Sequence, residues 1–467
     1  MIGNYRKAYL RLIGCIFVGL LPVFTGSTDA YSLPADPQPA GFRVATFDVD
    51  ATPPVGSRLA YDPEINKGEL GLRARGIVLL GAGQPIVLCA IDWIGIANEG
   101  QDAFRQALAE AAETIPERIA VHTVHQHDAP ICDFGAEQML KEAGLDPLCF
   151  DGSFARQLIL SLKTAVKESL SHAQVITHIG LGEANVYKVA SNRRIIGSDG
   201  RWKSTRYSAC KDSALRTEPE GLIDPMVSMV SFWNGEKPVA VLSYYATHPQ
   251  SYYRTGVANP DFPGVARFMR QLAVPQALHV HFNGAGGNIT VGKYNDGSKE
   301  NRGILAERLA DGMKRAWEAT RREPVTIDAI AWTVEPLALP TAKNLEDIQT
   351  LMKKKDPTFL ANNMSKLVWL RRCQAGKRLD LRCLTLGNAR ILFLPGEPFI
   401  EYQLAAKAVR PDLFVAVAGY GDYAPGYICT SIAYKEGGYE SGQASGVTFE
   451  AESILLKAIR KLLNGNQ

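Results

Sequence analysis

The sequence contains no Cys-x-x-Cys pair, no internal repeat, no low-complexity tract and no linker long enough to mark a domain boundary. The first absence removes the thiolate zinc knuckles, and the others leave one extended globular unit as the simplest organisation. Charge of one sign is not in excess. The formal net charge is +3, which gives no footprint of a nucleic-acid binder. The richest basic run passes from Lys353–Lys355 through Arg371, Arg372, Lys377 and Arg378. It falls in a helical pattern and reads as a solvated face, with a peripheral membrane-surface contact as the other reading. No obligate protein partner is indicated. Long apolar runs are also missing, except near the N-terminus, where Leu12–Phe24 falls short of the roughly 20 residues a spanning helix needs.

That short run has the layout of a secretory signal peptide. Arg6, Lys7 and Arg11 precede it, the small and polar stretch TGSTDA follows, and a cut after Ala30 is expected. The reading is a signal peptide over 1–30 and a secreted or periplasmic protein. A membrane anchor is the competing reading. The lipobox-like LIGC fits less well, because most of the apolar segment lies beyond Cys15. In an exported chain, Cys132/Cys149 and Cys373/Cys383 are close enough in sequence for local disulfides, and an odd cysteine count leaves one thiol over.

The chain does have ample material for a core: 46% of its residues are hydrophobic and 21% charged. Residues 42–50 alternate as a strand. GIVLL and QPIVLCAIDWIG read as two strands around a glycine turn, followed by a helix over 98–114 and a strand RIAVHTVHQH. A helix over 153–170, a strand VITHIGLGEANV, a hairpin turning at Asn234-Gly235, a helix over 262–273, a strand ALHVHFNG and a helix over 299–320 come next. Strand AIAWTVEPLAL, a helical insert near 343–376, hairpin RLDLRCLTLGNARILFLPG, helix 398–408, strand LFVAVAGYG and a closing helix over 448–463 complete the order. Strands and helices interleave and hairpins are frequent, so the expected class is α/β with mixed sheets, as a single domain over 31–467.

Three of the eight histidines fall in VHTVHQH, residues 121–127. On a strand, His125 and His127 share a face and His122 takes the other. A same-face pair at a strand end can place two imidazoles on one metal. The metallo-β-lactamase pattern fails, because Asp128 is followed by Ala129 and Pro130 rather than histidine. A catalytic zinc needs three or more N/O ligands, and four other segments could supply them or act beside them. These are SYYATHPQS with His248, ILFLPGEPFIEY with Glu397 at a strand-to-helix junction, the glycine-rich HFNGAGGNITVG, and the tyrosine-bearing loop PGYICTSIAYKEGGYE. Alone, each has a structural explanation: a core histidine, a helix cap, a tight turn without the Gly-Lys-Ser/Thr of a P-loop, a packed loop.

Together and in this order, the segments resemble the catalytic domain of the neutral ceramidases, zinc-dependent amidases of non-lysosomal type. The resemblance runs from VDATPPVG, similar to the family's D-I-T-P-P-G opening, to the tyrosine loop near 440. HQHDAP resembles H-T-H-S-G-P and implies His125 as a zinc ligand, with His127 contacting substrate or the hydrolytic water. ATHPQS resembles A-T-H-x-x-S and implies His248 as the second imidazole ligand. PGEP implies Glu397 as the carboxylate ligand, and the tyrosine loop implies Tyr427 as a phenolate-leaning fourth ligand. Tyr439 and, from SNRRI, Arg193 are implied as donors to the scissile carbonyl oxygen. The family's G-D-x-S-P turn is replaced by Gly287-Asn288-Ile289-Thr290-Val291. This puts Asn288 in a substrate-binding place and leaves Thr290, with a β-branched hydroxyl, where the family has serine. The chain also stops where longer members continue into a β-sandwich domain. The implied function is an exported hydrolase with one Zn²⁺ per chain, cleaving the N-acyl amide of ceramide-like substrates. The same site acting on a polar amide, ester or glycan is the alternative, and a non-catalytic binding homologue is a third.

Overall fold

The computed structural model describes residues 41–343, 345 and 357–465. The expected signal segment, 1–30, lies outside them, as does the part of the helical insert that holds Lys353–Lys355. The described part of that insert is a helix, Pro357–Gln374. No described helix is long and apolar enough to cross a membrane.

One arrangement occurs three times: an antiparallel hairpin, a helix, then a strand parallel to the hairpin's second arm. In the first sheet Arg73–Gly81 and Gly83–Ile91 form the hairpin, helix Asn98–Ala111 crosses, and Ile119–Thr123 lies parallel to Gly83–Ile91. In the second, Met226–Asn234 and Lys237–Tyr245 are followed by helix Asp261–Ala273 and parallel strand Leu278–Asn283. In the third, Leu379–Leu386 and Ala389–Phe393 are followed by helix Ile400–Val409 and parallel strand Phe414–Ala418. Flanking antiparallel strands extend each sheet. The mixed α/β class read from the interleaved pattern is the observed one. The sequence carries no repeat because only the hydrophobic periodicity recurs, not the residues.

The three sheets turn their inner faces to one core. Ile77, Leu88 and Ala120 of the first meet Val230, Leu242 and Val280 of the second, and Leu384, Ile391 and Ala416 of the third. Strands so enclosed read as near-continuous apolar runs such as PIVLCAI. Helices cover the outer faces through stripes spaced three or four residues apart. Examples are Leu158, Leu162 and Val166 on the first sheet, Leu305, Leu309 and Met313 on the second, and Leu455, Ile459 and Leu462 on the third.

The parallel pairs decide where chemistry can gather. Each pair ends at the same sheet edge, so the segments after Ile91 and Thr123, after Tyr245 and Asn283, and after Phe393 and Ala418 come together. This is the usual place for a site in sheets with parallel strands. The convergence is hydrogen-bonded between sheets. Thr123 N–H donates to Tyr420 O at 3.0 Å, Gly419 N–H to Asn283 O at 2.8 Å, and Gly287 N–H to Pro398 O at 2.9 Å.

Two expectations are corrected and one element is added. The second hairpin turns at Gly235-Glu236, with Asn234 paired to Lys237, because a bulge between Phe232 and Trp233 shifts the register. A short helix, Phe134–Glu142, capped by the Asp133 carboxylate on Ala136 N–H, was not anticipated from the sequence. No disulfide forms among the described residues. Cys132, Cys149, Cys373 and Cys383 are all free, as small apolar side chains packed in or against the cores.

Candidate functional site

The strand carrying the histidine cluster ends at Thr123, so strand alternation is not what brings His125 and His127 together. His125 has φ +73°, a left-handed conformation that costs a non-glycine residue about 1–2 kcal/mol. It is held there by its backbone and by its ring. Its N–H donates to Trp93 O at 2.9 Å, and its Nδ1 lies 2.6 Å from Ile94 O. A ring N–H bonded to a backbone carbonyl leaves the other nitrogen with its lone pair, the usual preparation of a histidine ligand. That Nε2 faces inward, 3.4 Å from Glu397 Oε2, and neither atom has a hydrogen-bond partner. The 92–94 segment is itself anchored by a buried bidentate pair, Asp92–Arg267, with both contacts at 2.7 Å.

His127 and His248 complete a buried group, their Nε2 atoms 2.9 Å apart. Nitrogens of His125, His127 and His248 all lie within 4.8 Å of one another. Two N/O ligands held about 2.0–2.2 Å from one tetrahedral ion sit about 3.3–3.6 Å apart. Both measured pairs are at or a little below that spacing, so the residues fit a small divalent cation. Burial first, and then neighbouring positive charge, push His127 and His248 well below the ordinary histidine range, so both rings are neutral, the form that ligates. Burial raises the Glu397 carboxyl, but His125, Tyr423 and Arg193 outweigh it and leave it below its ordinary value. The Tyr423 hydroxyl donates to Glu397 Oε1 at 2.8 Å.

A second buried cluster adjoins the first. Arg193 Nη2 lies 2.7 Å from His248 Nδ1 and donates to Ile289 O at 3.0 Å, and its Nη1 donates to the Tyr427 hydroxyl at 3.2 Å and to the Tyr439 hydroxyl. The two phenol oxygens are 3.4 Å apart. Burial, then Glu397 and Tyr439, push the Tyr427 phenol well above its ordinary value, against the pull of Arg193. Phenolate character at Tyr427 therefore does not come from the protein's own charges; it would need a cation beside it. Arg194 ties the tyrosine loop down through Glu436 and Glu440, both at 3.0 Å.

Two structures resemble this arrangement over 91% of the chain. A neutral ceramidase from Pseudomonas aeruginosa superposes with a TM-score of 0.65 at 15% identity, with 74% of that chain covered. A structure described as ceramidase complexed with C2 gives the same score and identity, with 75% covered. The fold is that of the neutral ceramidases. No protein-family model matches the chain, and no curated protein matches its sequence.

On the ceramidase fold, the nine residues singled out in the sequence divide into three groups. His125, His127, His248 and Glu397 meet in the first cluster, and Arg193, Tyr427 and Tyr439 in the second. Thr290 and Asn288 have side chains engaged elsewhere. The Thr290 hydroxyl donates to Ser208 Oγ and accepts from Gly292 N–H, both at 3.1 Å. Asn288 Oδ1 accepts from Ile400 N–H at 2.8 Å, and its amide donates to Glu401 at 2.9 Å, so it caps the helix that follows Glu397. Three N–H groups of the glycine-rich turn are engaged within the fold. Those of Gly284, Ala285 and Gly287 are bonded to Tyr245 O, the Gln403 side chain and Pro398 O. Its glycines allow close approach: a Cβ on Gly287 would lie 2.4 Å from Glu397 O.

Several neighbours were not singled out. Tyr420 stacks on His125 at 4.5 Å, Tyr61 stacks on His127 at 5.6 Å, and Tyr253 meets His127 edge-on at 5.4 Å. The spacing of Tyr420, Tyr423 and Tyr427 in GYGDYAPGY was the available signal for two of the missed tyrosines. Tyr61 sits in a loop with no pattern of its own. A cavity of about 210 Å³ opens beside Glu397, Tyr423 and Tyr427.

Proposed function

We propose that the chain is a zinc-dependent hydrolase that cleaves the amide bond of an N-acyl substrate. The observation that carries the reading is the buried, inward-facing set of His125 Nε2 and Glu397 Oε2, both unpartnered, beside the His127 and His248 Nε2 pair. His125, His248 and Glu397 would hold the ion, with Tyr427 completing the set as the sequence resemblance implies. His127 is the competing fourth ligand, favoured by its 2.9 Å approach to His248. Imidazole and carboxylate donors suit zinc. When bound, zinc supplies Lewis-acid polarisation of the carbonyl and a water acidified toward neutral pH.

The chain's own groups do the rest. The Tyr439 oxygen accepts from Arg193, which leaves its O–H free to donate to an oxygen gaining negative charge. Arg193 adds a fixed positive charge next to that oxygen, and such donors act most strongly where water is excluded. Asn288 and Thr290 brace the turn and the helix behind Glu397 in this reading, and neither is assigned a step. Ceramide is the substrate class suggested by the similar structures. Export through residues 1–30 is proposed from their composition, and N-terminal sequencing of the exported protein, expected to begin near Tyr31, checks it.

Elemental analysis of purified protein should give about one zinc per chain. His248→Ala should lose the metal together with hydrolysis of N-acyl amides. Retention of full hydrolysis by that variant would falsify the assignment. Tyr427→Phe and His127→Ala, compared for zinc content, decide which is the fourth ligand.

A further inference from the structure

The cavity beside Glu397 has an uneven lining. Tyr61, Ile94, Ile131, Phe150, Ala424 and Ala444 give it largely apolar walls, and one cation, Lys366, also lines it. Lys366 stands on helix Pro357–Gln374, whose neighbouring Met364, Leu367, Val368 and Trp369 are buried in the core. We propose that Lys366 determines specificity: the cavity takes one arm of the substrate, and the ammonium takes a carboxylate at that arm's far end. This rests on the hydrolase reading for the reaction, though not for the binding.

Three observations support it. No carboxylate of the described residues lies within 4.0 Å of Lys366, whereas Arg372 and Lys377 close by are both paired to Asp102. The ammonium donates to one backbone oxygen, that of Gln443, and an ammonium has three N–H donors. Burial brings the group down to about 8, with Glu397 pulling upward, so it stays charged at neutral pH. Lys366 is half-buried beside these apolar walls, where an ammonium has less water around it and gains from meeting an opposite charge. About 210 Å³ beside Glu397 leaves room for an arm of a substrate held at the site.

The test uses two amides of the same amine, one with an octanoyl group and one with an eight-carbon acyl group ending in carboxylate. Zinc-loaded wild type should favour the carboxylate substrate in kcat/KM by about tenfold to a hundredfold, the usual range for a hydrogen bond to a charged group. K366M should bring that ratio near one, and K366R should restore it. Calorimetric titration with octanedioate and octanoate reads the same preference without turnover. If neither amide is hydrolysed, the reaction assignment fails while the titration still decides the role of Lys366. Equal binding of the two acids by wild type, or a preference kept in K366M, overturns the proposal. So does a lost preference that K366R fails to restore alongside a fallen thermal midpoint, which marks Lys366 as a brace to Gln443.

Discussion

The most connected side chain in the site is Arg193, whose guanidinium reaches a histidine, two phenols and a backbone carbonyl. Its planar fork is what permits this, and a lysine could not reproduce it. Arg193→Met should lower kcat by about a hundredfold, the scale of losing one oxyanion donor, with a smaller change in KM. Steady-state kinetics on a zinc-loaded, folded variant checks this. A second residue-scale outcome concerns stability. His281, buried and bonded to Ser243 Oγ at 2.9 Å, is held neutral down to about pH 3, by burial first and Arg267 next. Unfolded histidine titrates near 6.5. Between those values the unfolded chain takes up a proton that the folded chain refuses, so stability is full above about 6.5 and declines as the pH falls. The contribution lost by pH 5 is about 2 kcal/mol. His281→Gln should therefore gain on wild type when melting curves at pH 8 and pH 5 are compared.

At the scale of elements, the strand-end segments matter more than the strands. Gly287 lies where the glycine-rich turn passes the backbone of Glu397 and Pro398, its N–H bonded to Pro398 O. Gly287→Ala should destabilise the fold by about 1–3 kcal/mol through overpacking and displace Glu397. A lowered denaturation midpoint together with weaker zinc retention is the expected result, and unchanged zinc retention would count against the placement. The periodic elements were legible in the sequence, because their burial patterns are local. The long helices over 98–111, 153–169, 300–318 and 451–464 carry strong 3.6-residue stripes, and PIVLCAI and MVSMVSFW are unbroken apolar runs. Helix Phe134–Glu142 was not legible: nine residues give too short a stripe. The turn at Gly235-Glu236 was misplaced by one residue because the bulge at Trp233 leaves no local mark.

Across the whole molecule, one core shared by three sheets sets the distances among groups that lie more than two hundred residues apart. A cation bound only by the folded form adds to its stability by mass action, about 2.7 kcal/mol at a hundredfold excess over Kd. Added zinc should raise the melting temperature of metal-free wild type, and it should leave His248→Ala unmoved. By itself, the sequence determined the α/β class, the order of elements and the residue types able to ligate, since periodicity and composition are properties of neighbours in the chain. It also suggested that His125, His127, His248 and Glu397 belong together, through the order of their motifs. Only the tertiary structure decided how they meet. His125 reaches its position through a left-handed turn, not through strand alternation, and the side chains of Asn288 and Thr290 hydrogen-bond to partners from other segments, Ile400 and Glu401 for the first and Ser208 for the second. Parallel pairing brings six strand ends to one edge, and no local pattern encodes which strands will pair.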